Sequence, residues 1–288
     1  MKWAVIGSRG MLGTEVVNLL RHRGQDVLEF NRENLKPDFK QFEIAKAFEG
    51  VDVVINAAAY TRVDLAETEV AEAYFTNAEL PRRLVAASEL AQAKFVQIST
   101  DYVFRGDSPV PYLPEDSPDP ISVYGKSKLE GEKAVLNYRD TKVIRTAWLY
   151  GKFGNCFPKT ISSRLLSGQE VKIVDDQFGS PTSTRDLARY IVNVSSIDGL
   201  GQVFHGVSEG VTSWFEFGVK IANHLAVSPD RLCRISTKEF NSPASRPLMS
   251  IAAGYSHREF RLPSWELAWE FESGEILGPP LTDDLSKI

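Results

Sequence analysis

Lys2-Trp3-Ala4-Val5-Ile6-Gly7-Ser8-Arg9-Gly10-Met11-Leu12-Gly13 is the stretch whose reading decides the fold. The run Ala4-Val5-Ile6 has the character of a buried strand, and helical periodicity takes over from about Leu12 to Arg23. Between them stands a Gly-x-x-Gly-x-x-Gly pattern. Glycines let a backbone turn sharply and approach a pyrophosphate, whose charge is met by amides at a helix N-terminus. A strand before and a helix after give the pattern its weight, because scattered glycines are common by chance. The other reading of the same residues is a tight turn that holds nothing.

Outward from that turn the first half of the chain alternates short β-branched runs with helical stretches. Asp26–Phe30, Val51–Asn56, Lys94–Ile98 and Lys142–Thr146 read as strands, and Val51–Asn56 is apolar enough to be covered on both faces. A long helix is expected from about Val70 to Leu90, with a kink or break at Pro81. This alternation implies α/β architecture, a doubly wound parallel sheet with right-handed crossovers. After Trp148 the rhythm changes to helical pieces (Ile161–Ser167, Thr184–Ser195), short strands (Val171–Val174, Gly201–Gly206) and a helix near Ser213–Leu225. The expected organisation is a Rossmann domain over residues 1–150, with 184–200 packing back on it. Residues 151–288 then form mainly a smaller α+β substrate lobe.

Composition narrows the function. A length of 288 residues allows a sizeable core, and a net charge of -5 argues against a general nucleic-acid binder. No apolar run approaches membrane-spanning length. Cys156 and Cys233 lack metal-ligand spacing, and His22, His205, His224 and His257 form no His-x-x-x-His pair. Two separated thiols and a start that lacks the pattern of a secretion signal lead to the expectation of a cytoplasmic protein.

Cofactor choice is set where the second strand ends. A carboxylate there favours NAD, through the ribose hydroxyls. The aligned residue is Asn31, followed by Arg32, and Arg9 in the glycine turn reaches the same place. Arginines beside the ribose suit a 2′-phosphate, so NADPH is expected over NADH, unless Arg32 is a solvated loop charge. Asn56-Ala57-Ala58-Ala59-Tyr60 follows the third strand. Its small side chains allow either passage of a cofactor or close helix–sheet packing.

Tyr124 and Lys128 stand four residues apart, on one face of a helix. An ammonium there can hold a phenol in reach and lower its pKa, giving a proton donor near neutral pH. Ser99-Thr100-Asp101-Tyr102 closes an apolar run twenty-odd residues earlier, and a hydroxyl from that strand end completes a site for carbonyl redox chemistry.

Taken in order, several blocks resemble the dTDP-4-dehydrorhamnose reductase family of the extended short-chain dehydrogenase/reductases. They are Asn56 to Glu67, Ser99 to Phe104, Tyr124 to Glu132, Arg145 to Gly151, Asp176 to Thr182 and Arg246 to Ser250. The resemblance runs from residue 1 to about 270. It implies NADPH-dependent reduction of the 4-keto group of dTDP-4-dehydro-L-rhamnose, with Thr100, Tyr124 and Lys128 as the catalytic trio. The cofactor would meet Gly7, Arg9, Gly10, Met11, Leu12, Gly13, Asn31, Arg32, Ala57, Ala58, Ala59, Tyr60, Tyr124 and Lys128. The nucleotide sugar would meet Thr100, Asp101, Tyr102, Trp148, Gln177, Thr182 and Arg246.

Each residue also has a plainer reading. Thr100 is a strand-end cap, Trp148 a core indole, Asp101 and Tyr102 caps of their loop, and Arg246 half of a surface salt bridge. The chain departs from the family pattern at Arg105, where an acidic residue is common, and at Met11, where Gln is. Relatives often form homodimers, some with Mg2+ at the interface, but no cluster in this sequence has the look of a metal site. A 4-ketoreductase for another nucleotide-linked deoxysugar and a non-catalytic NADP-binding regulatory subunit are the other functions this pattern allows.

Overall fold

The computed structural model describes residues 1–31, 33, 41–197, 199, 201–249 and 261–279. The first half of the chain runs β1 (Lys2–Ile6), α1 (Met11–His22), β2 (Asp26–Phe30), α2 (Gln41–Ala47) and β3 (Val53–Asn56). It continues through α3 (Val63–Ala66), α4 (Val70–Tyr74), a π-helical turn (Phe75–Glu79), α5 (Leu80–Leu90), β4 (Lys94–Thr100), α6 (Val123–Val135) and β5 (Thr141–Thr146). The second half comprises β6 (Leu149–Tyr150), α7 (Phe157–Leu166), β7 (Val171–Val174), β8 (Phe178–Gly179), β9 (Thr182–Ser183) and α8 (Thr184–Ser195). After these come β10 (Val203–His205), β11 (Thr212–Ser213), α9 (Trp214–His224), β12 (Leu232–Ile235), α10 (Thr237–Phe240) and α11 (Trp265–Leu277).

Six strands form one parallel sheet in the order β10-β5-β4-β3-β1-β2, a Rossmann arrangement. The chain steps from β1 outward to β2 and then returns to the other flank of β1 as β3. The strand order reverses there, and a crevice opens beyond the carboxyl ends of β1 and β3. Helices cover both faces of the sheet: α1 and α8 share one apolar cluster with Val5, Ile55 and Ile144, while Leu84 of α5 and Phe48 share another with Ile6, Val54 and Phe95. Strands β1 and β3 are buried on both sides, which is why their sequences are continuous rather than alternating.

Two expectations change. The strand expected over Gly201–Gly206 is β10, and it belongs to the large sheet beside β5 rather than to the smaller lobe. Its pairing partner lies some sixty residues back, a relation that local composition cannot express. The single helix expected over Val70–Leu90 is three consecutive pieces, with the π turn placed just before Pro81. Proline has no amide hydrogen and its ring crowds the preceding turn. A widened turn accommodates both without ending the helix.

The smaller lobe is built on β7 paired with β12 and β8 paired with β11. Its core gathers Tyr150, Ile173, Phe217, Ile221, Trp265 and Trp269. Strands β6 and β9, which pair in parallel, connect the lobes.

Candidate active site

Gly7 ends β1 at φ +77°, and its amide donates to the Phe30 carbonyl at 2.8 Å. A Cβ there would stand 2.7 Å from the Ala58 amide nitrogen, and one at Gly13 would stand 2.1 Å from the Gly7 carbonyl. The turn is therefore pressed against the end of β3, where only hydrogen fits. Gly10 precedes α1 without a side-chain cap, so first-turn amides are left for water or an anion. These observations fit a dinucleotide pyrophosphate. Leu12 is buried in the core, so only its main chain can take part, and Met11 leans toward the smaller lobe's cluster.

At the end of β2, Asn31 accepts the Glu33 amide at 2.8 Å, and Arg9 stands 3.5 Å from the Glu33 carboxylate. Arg9 is an exposed surface group, and Asn31 is half-buried. Arg32 lies outside the described residues. Past β3, Ala57, Ala58 and Ala59 are half-buried, while Tyr60 is buried and its hydroxyl donates to Glu69 at 2.5 Å. Tyr60 therefore turns its hydroxyl to a surface carboxylate, and its contribution to a cofactor would be main-chain.

The proposed catalytic groups come together where β4 ends. Thr100 donates to Asp101 at 2.9 Å and accepts the Tyr102 amide at 3.2 Å. Helix α6 begins at Ser122, whose hydroxyl accepts the Gly125 amide at 3.1 Å, and it carries Tyr124 and Lys128 into the interior. Tyr124 meets the Tyr102 ring edge-on at 5.5 Å. Its phenol is pushed up to about 12 by burial; a hydrogen bond with Thr100 pulls it down and the Asp101 charge adds to the rise. Lys128 is pulled down to about 8 by burial, which the Glu132 carboxylate opposes.

The expected lowering of the phenol by the lysine is thus reversed here. Lys128 directs its ammonium to the Ile98 carbonyl at 2.6 Å, and burial governs Tyr124. A phenol held this high is fully protonated at neutral pH, which is the form a proton donor needs.

Arg246 reaches the same cleft from the smaller lobe. It donates to Asp64 of α3 at 2.7 Å and also interacts with Tyr102. It is thus a salt-bridge residue at the mouth of the cleft, and it ties the two lobes together. Trp148 follows β5 in the left-handed region at φ +45° and stacks on Trp214 with ring centroids 3.6 Å apart and planes within 8°. Such a backbone is strained for a bulky residue and persists only where the surroundings fix it.

Gln177 and Thr182 stand apart from this assembly. Gln177 is buried and donates to the Thr237 hydroxyl at 3.0 Å. Thr182 is buried, donating to the Ser180 carbonyl at 3.1 Å and accepting the Ser208 amide at 3.2 Å. Both side chains are engaged in hydrogen bonds within the smaller lobe. Polar residues in a Gly/Pro-bearing loop read alike whether they face a ligand or the lobe, and their partners are remote in sequence.

Three residues that shape the site were not singled out from the sequence. Asn77, in the π turn, accepts the Tyr60 amide at 2.8 Å and donates to the Tyr60 carbonyl and to Ser127 of α6 at 3.0 Å. Its signal was an amide side chain inside an apolar helix, four residues before a proline. Glu132 and Arg145 form a buried pair joining α6 to β5, and each alone reads as an ordinary surface charge. Arg105, the departure from the family pattern, bonds Asp119 at 2.7 Å.

Among the described residues, no group of three or more His, Cys, Asp or Glu is placed to hold a metal ion. No helix among them is long and apolar enough to cross a membrane.

A family model described as the RmlD substrate binding domain matches residues 1–270. The chain belongs to that family. It is 38% identical over 271 residues to dTDP-4-dehydrorhamnose reductase of Mycobacterium tuberculosis, covering 90% of this chain and 86% of the relative. It is 33% identical over 261 residues to dTDP-4-keto-6-deoxy-D-glucose reductase of Streptomyces niveus, covering 90% of each. The crystal structure of dTDP-4-dehydrorhamnose reductase from Bacillus anthracis in complex with NADP superposes with a TM-score of 0.89 at 36% identity, over 96% of this chain and 100% of that one.

Proposed function

We propose that this protein reduces the 4-keto group of dTDP-4-dehydro-L-rhamnose, using NADPH and giving dTDP-L-rhamnose. The observation that carries the reading is the convergence of Thr100, Tyr124 and Lys128 at the end of β4, on the sheet whose β1 ends, one strand beyond β3, in a glycine turn where only hydrogen fits. The relatives' names supply the substrate.

The cofactor, when bound, supplies the hydride. Gly7, Gly10 and Gly13 leave room for its pyrophosphate, and Arg9 with Asn31 lies where a 2′-phosphate would be met. Thr100 and Tyr124 orient the keto oxygen by hydrogen bonds, aimed where negative charge develops. Tyr124 then gives its proton to that oxygen as it becomes an alkoxide. Lys128, one helical turn along the same face of α6, is the positive charge that would steady the phenolate left behind. Arg246, moving between Asp64 and a diphosphate, would hold the nucleotide end of the substrate.

In this division of labour the cofactor belongs to residues 1–150 and the helix α8 that packs on α1, and the sugar nucleotide to the lobe beyond. The compartment proposed is the cytoplasm, consistent with two free thiols at Cys156 and Cys233. The assembly proposed, on the family resemblance, is a homodimer. Sedimentation at the mass of one chain would contradict it.

The test is NADPH oxidation with dTDP-4-dehydro-L-rhamnose, with the C4 configuration of the product read by NMR. No oxidation would refute the proposal. A second reading, reduction of another dTDP-linked 4-keto-6-deoxyhexose, is favoured by the Streptomyces niveus relative. Turnover of dTDP-4-keto-6-deoxy-D-glucose alone would support it instead.

A further inference from the structure

Directly behind the catalytic groups lies a charged pair that the reaction as described does not use. Glu132 stands one helical turn beyond Lys128 on α6, and its side chain is 1% exposed. Arg145, on β5, grips both carboxylate oxygens, with its Nε 3.0 and 3.2 Å from them and a terminal nitrogen at 2.7 Å. The remaining contact of the carboxylate is the Ser99 hydroxyl, which donates to it at 2.5 Å. Ser99 is the residue before Thr100 and pairs in register with Arg145.

Arg145 is held from further sides as well. It donates to the Pro114 carbonyl at 3.1 Å and lies over the Phe104 ring at 5.0 Å. One carboxylate therefore joins α6, the ends of β4 and β5, and the loop that follows Phe104. A buried pair of this kind gains little stability over apolar residues of the same size, because both ions lose their hydration. Fold stability alone is a weak reason for its place.

We infer that Glu132 is a positioning residue for the reduction, fixing the charge of Lys128 and the seat of Thr100 from behind the site, with Arg145 as its clamp. The inference rests on the ketoreductase reading. Glu132 and Lys128 are buried one turn apart on the same face of α6; opposite charges so placed favour each other's ionised form, and Glu132 is the charged group whose field supports Lys128 against burial. The other elements packed on α6 carry Asp64, Glu72, Glu79, Arg82, Arg83, Glu89, Lys94 and Asp101, of which Glu89 acts on Tyr138 and Lys94 begins β4 at its far end. Asp64 is tied to Arg246, Glu79 to Arg82 and Arg83 at the surface, and Glu72 acts on Tyr60. Asp101 acts on Tyr124 and Tyr102. The second arm runs through Ser99, whose hydroxyl pins the strand end from which Thr100 projects.

Lysine-labelled protein, titrated by NMR without substrate, tests the first arm. In Glu132→Gln the Lys128 ammonium loses its proton about one pH unit lower than in the unaltered chain. The alkaline limb of kcat moves with it, so that turnover at pH 8 falls by about fivefold. Where Glu132→Gln does not fold, E132L/R145M leaves no charge buried alone and shows the same direction of shift. An unchanged Lys128 titration in the folded variant overturns the inference. Ser99→Ala tests the second arm: kcat falls by about threefold with the Lys128 titration unmoved, and an unchanged kcat overturns that arm. The NMR titration needs no turnover, so an unaltered chain that fails to oxidise NADPH refutes the ketoreductase reading separately from the Glu132–Lys128 coupling.

Discussion

The end of β4 and the loop from Asp175 to Thr182 carry equally polar sequences and were both expected to meet the substrate, yet they behave in opposite ways. At the end of β4, Thr100 and Asp101 are buried but directed toward Tyr124, across the cleft. In the loop, Asp176 accepts from the Thr237 amide at 2.8 Å, Gln177 donates to the Thr237 hydroxyl and Thr182 accepts the Ser208 amide. The difference lies in what each segment is attached to. A parallel strand end has no further neighbour to satisfy it and opens on the crevice. A loop between short strands is closed on by its own lobe, and its polar groups are used up as internal braces.

The sharpest way to break this contrast is at Thr100. Thr100→Val is expected to lower kcat/KM by about a hundredfold, as for loss of one oxyanion donor, while NADPH affinity changes little. Steady-state kinetics beside a cofactor titration check it. At the loop, Gln177→Ala and Thr182→Val should leave kcat/KM within about threefold. Each should lower stability by about 1–3 kcal/mol, since a buried partner loses its hydrogen bond. Thermal unfolding beside the same kinetics tells the two regions apart. A hundredfold kinetic loss at Gln177 with unchanged unfolding would put that side chain against the substrate and erase the contrast.

How much of this was legible beforehand follows the same division. The glycine turn, the continuous apolar strands and the Tyr124–Lys128 spacing are local patterns, and their structural meaning is fixed within one strand-turn-helix unit or one helix. The hydrogen bonds of Gln177 and Thr182 are not legible in the sequence, because their partners, Thr237 and Ser208, lie far along the chain. Glu132 and Arg145 escaped notice for the same reason: α6 buries Ser127, Lys128 and Glu132 as well as Tyr124, so its inward face does not read as apolar. The sheet membership of β10 and the π turn ahead of Pro81 likewise depend on neighbours and backbone geometry, not on composition.

A smaller effect sharpens the view of the second lobe as an internally braced unit. Glu272 on α11 is pushed up to about 7 by burial, although the Ser183 hydroxyl that donates to it at 2.6 Å pulls the other way. A carboxyl whose pKa rises on folding binds its proton more tightly in the folded state. Its protonated form therefore favours folding most below the ordinary carboxylate range, and that stability is lost as pH rises toward 7. Glu272→Gln should flatten the decline in stability between about pH 5 and 7, by about a kcal/mol or two at most. Denaturant unfolding across that range measures it. Catalysis at the end of β4 should be indifferent to the change.

The measurement that bears most directly on the account is turnover by Tyr124→Phe, read with cofactor binding on the same preparation. If the buried phenol gives the proton to the developing alkoxide, kcat falls by about a thousandfold while NADPH still binds as to the unaltered protein. Turnover within a few-fold of the unaltered enzyme, with the cofactor equally bound, would contradict the role assigned to Tyr124 and with it the site at the end of β4.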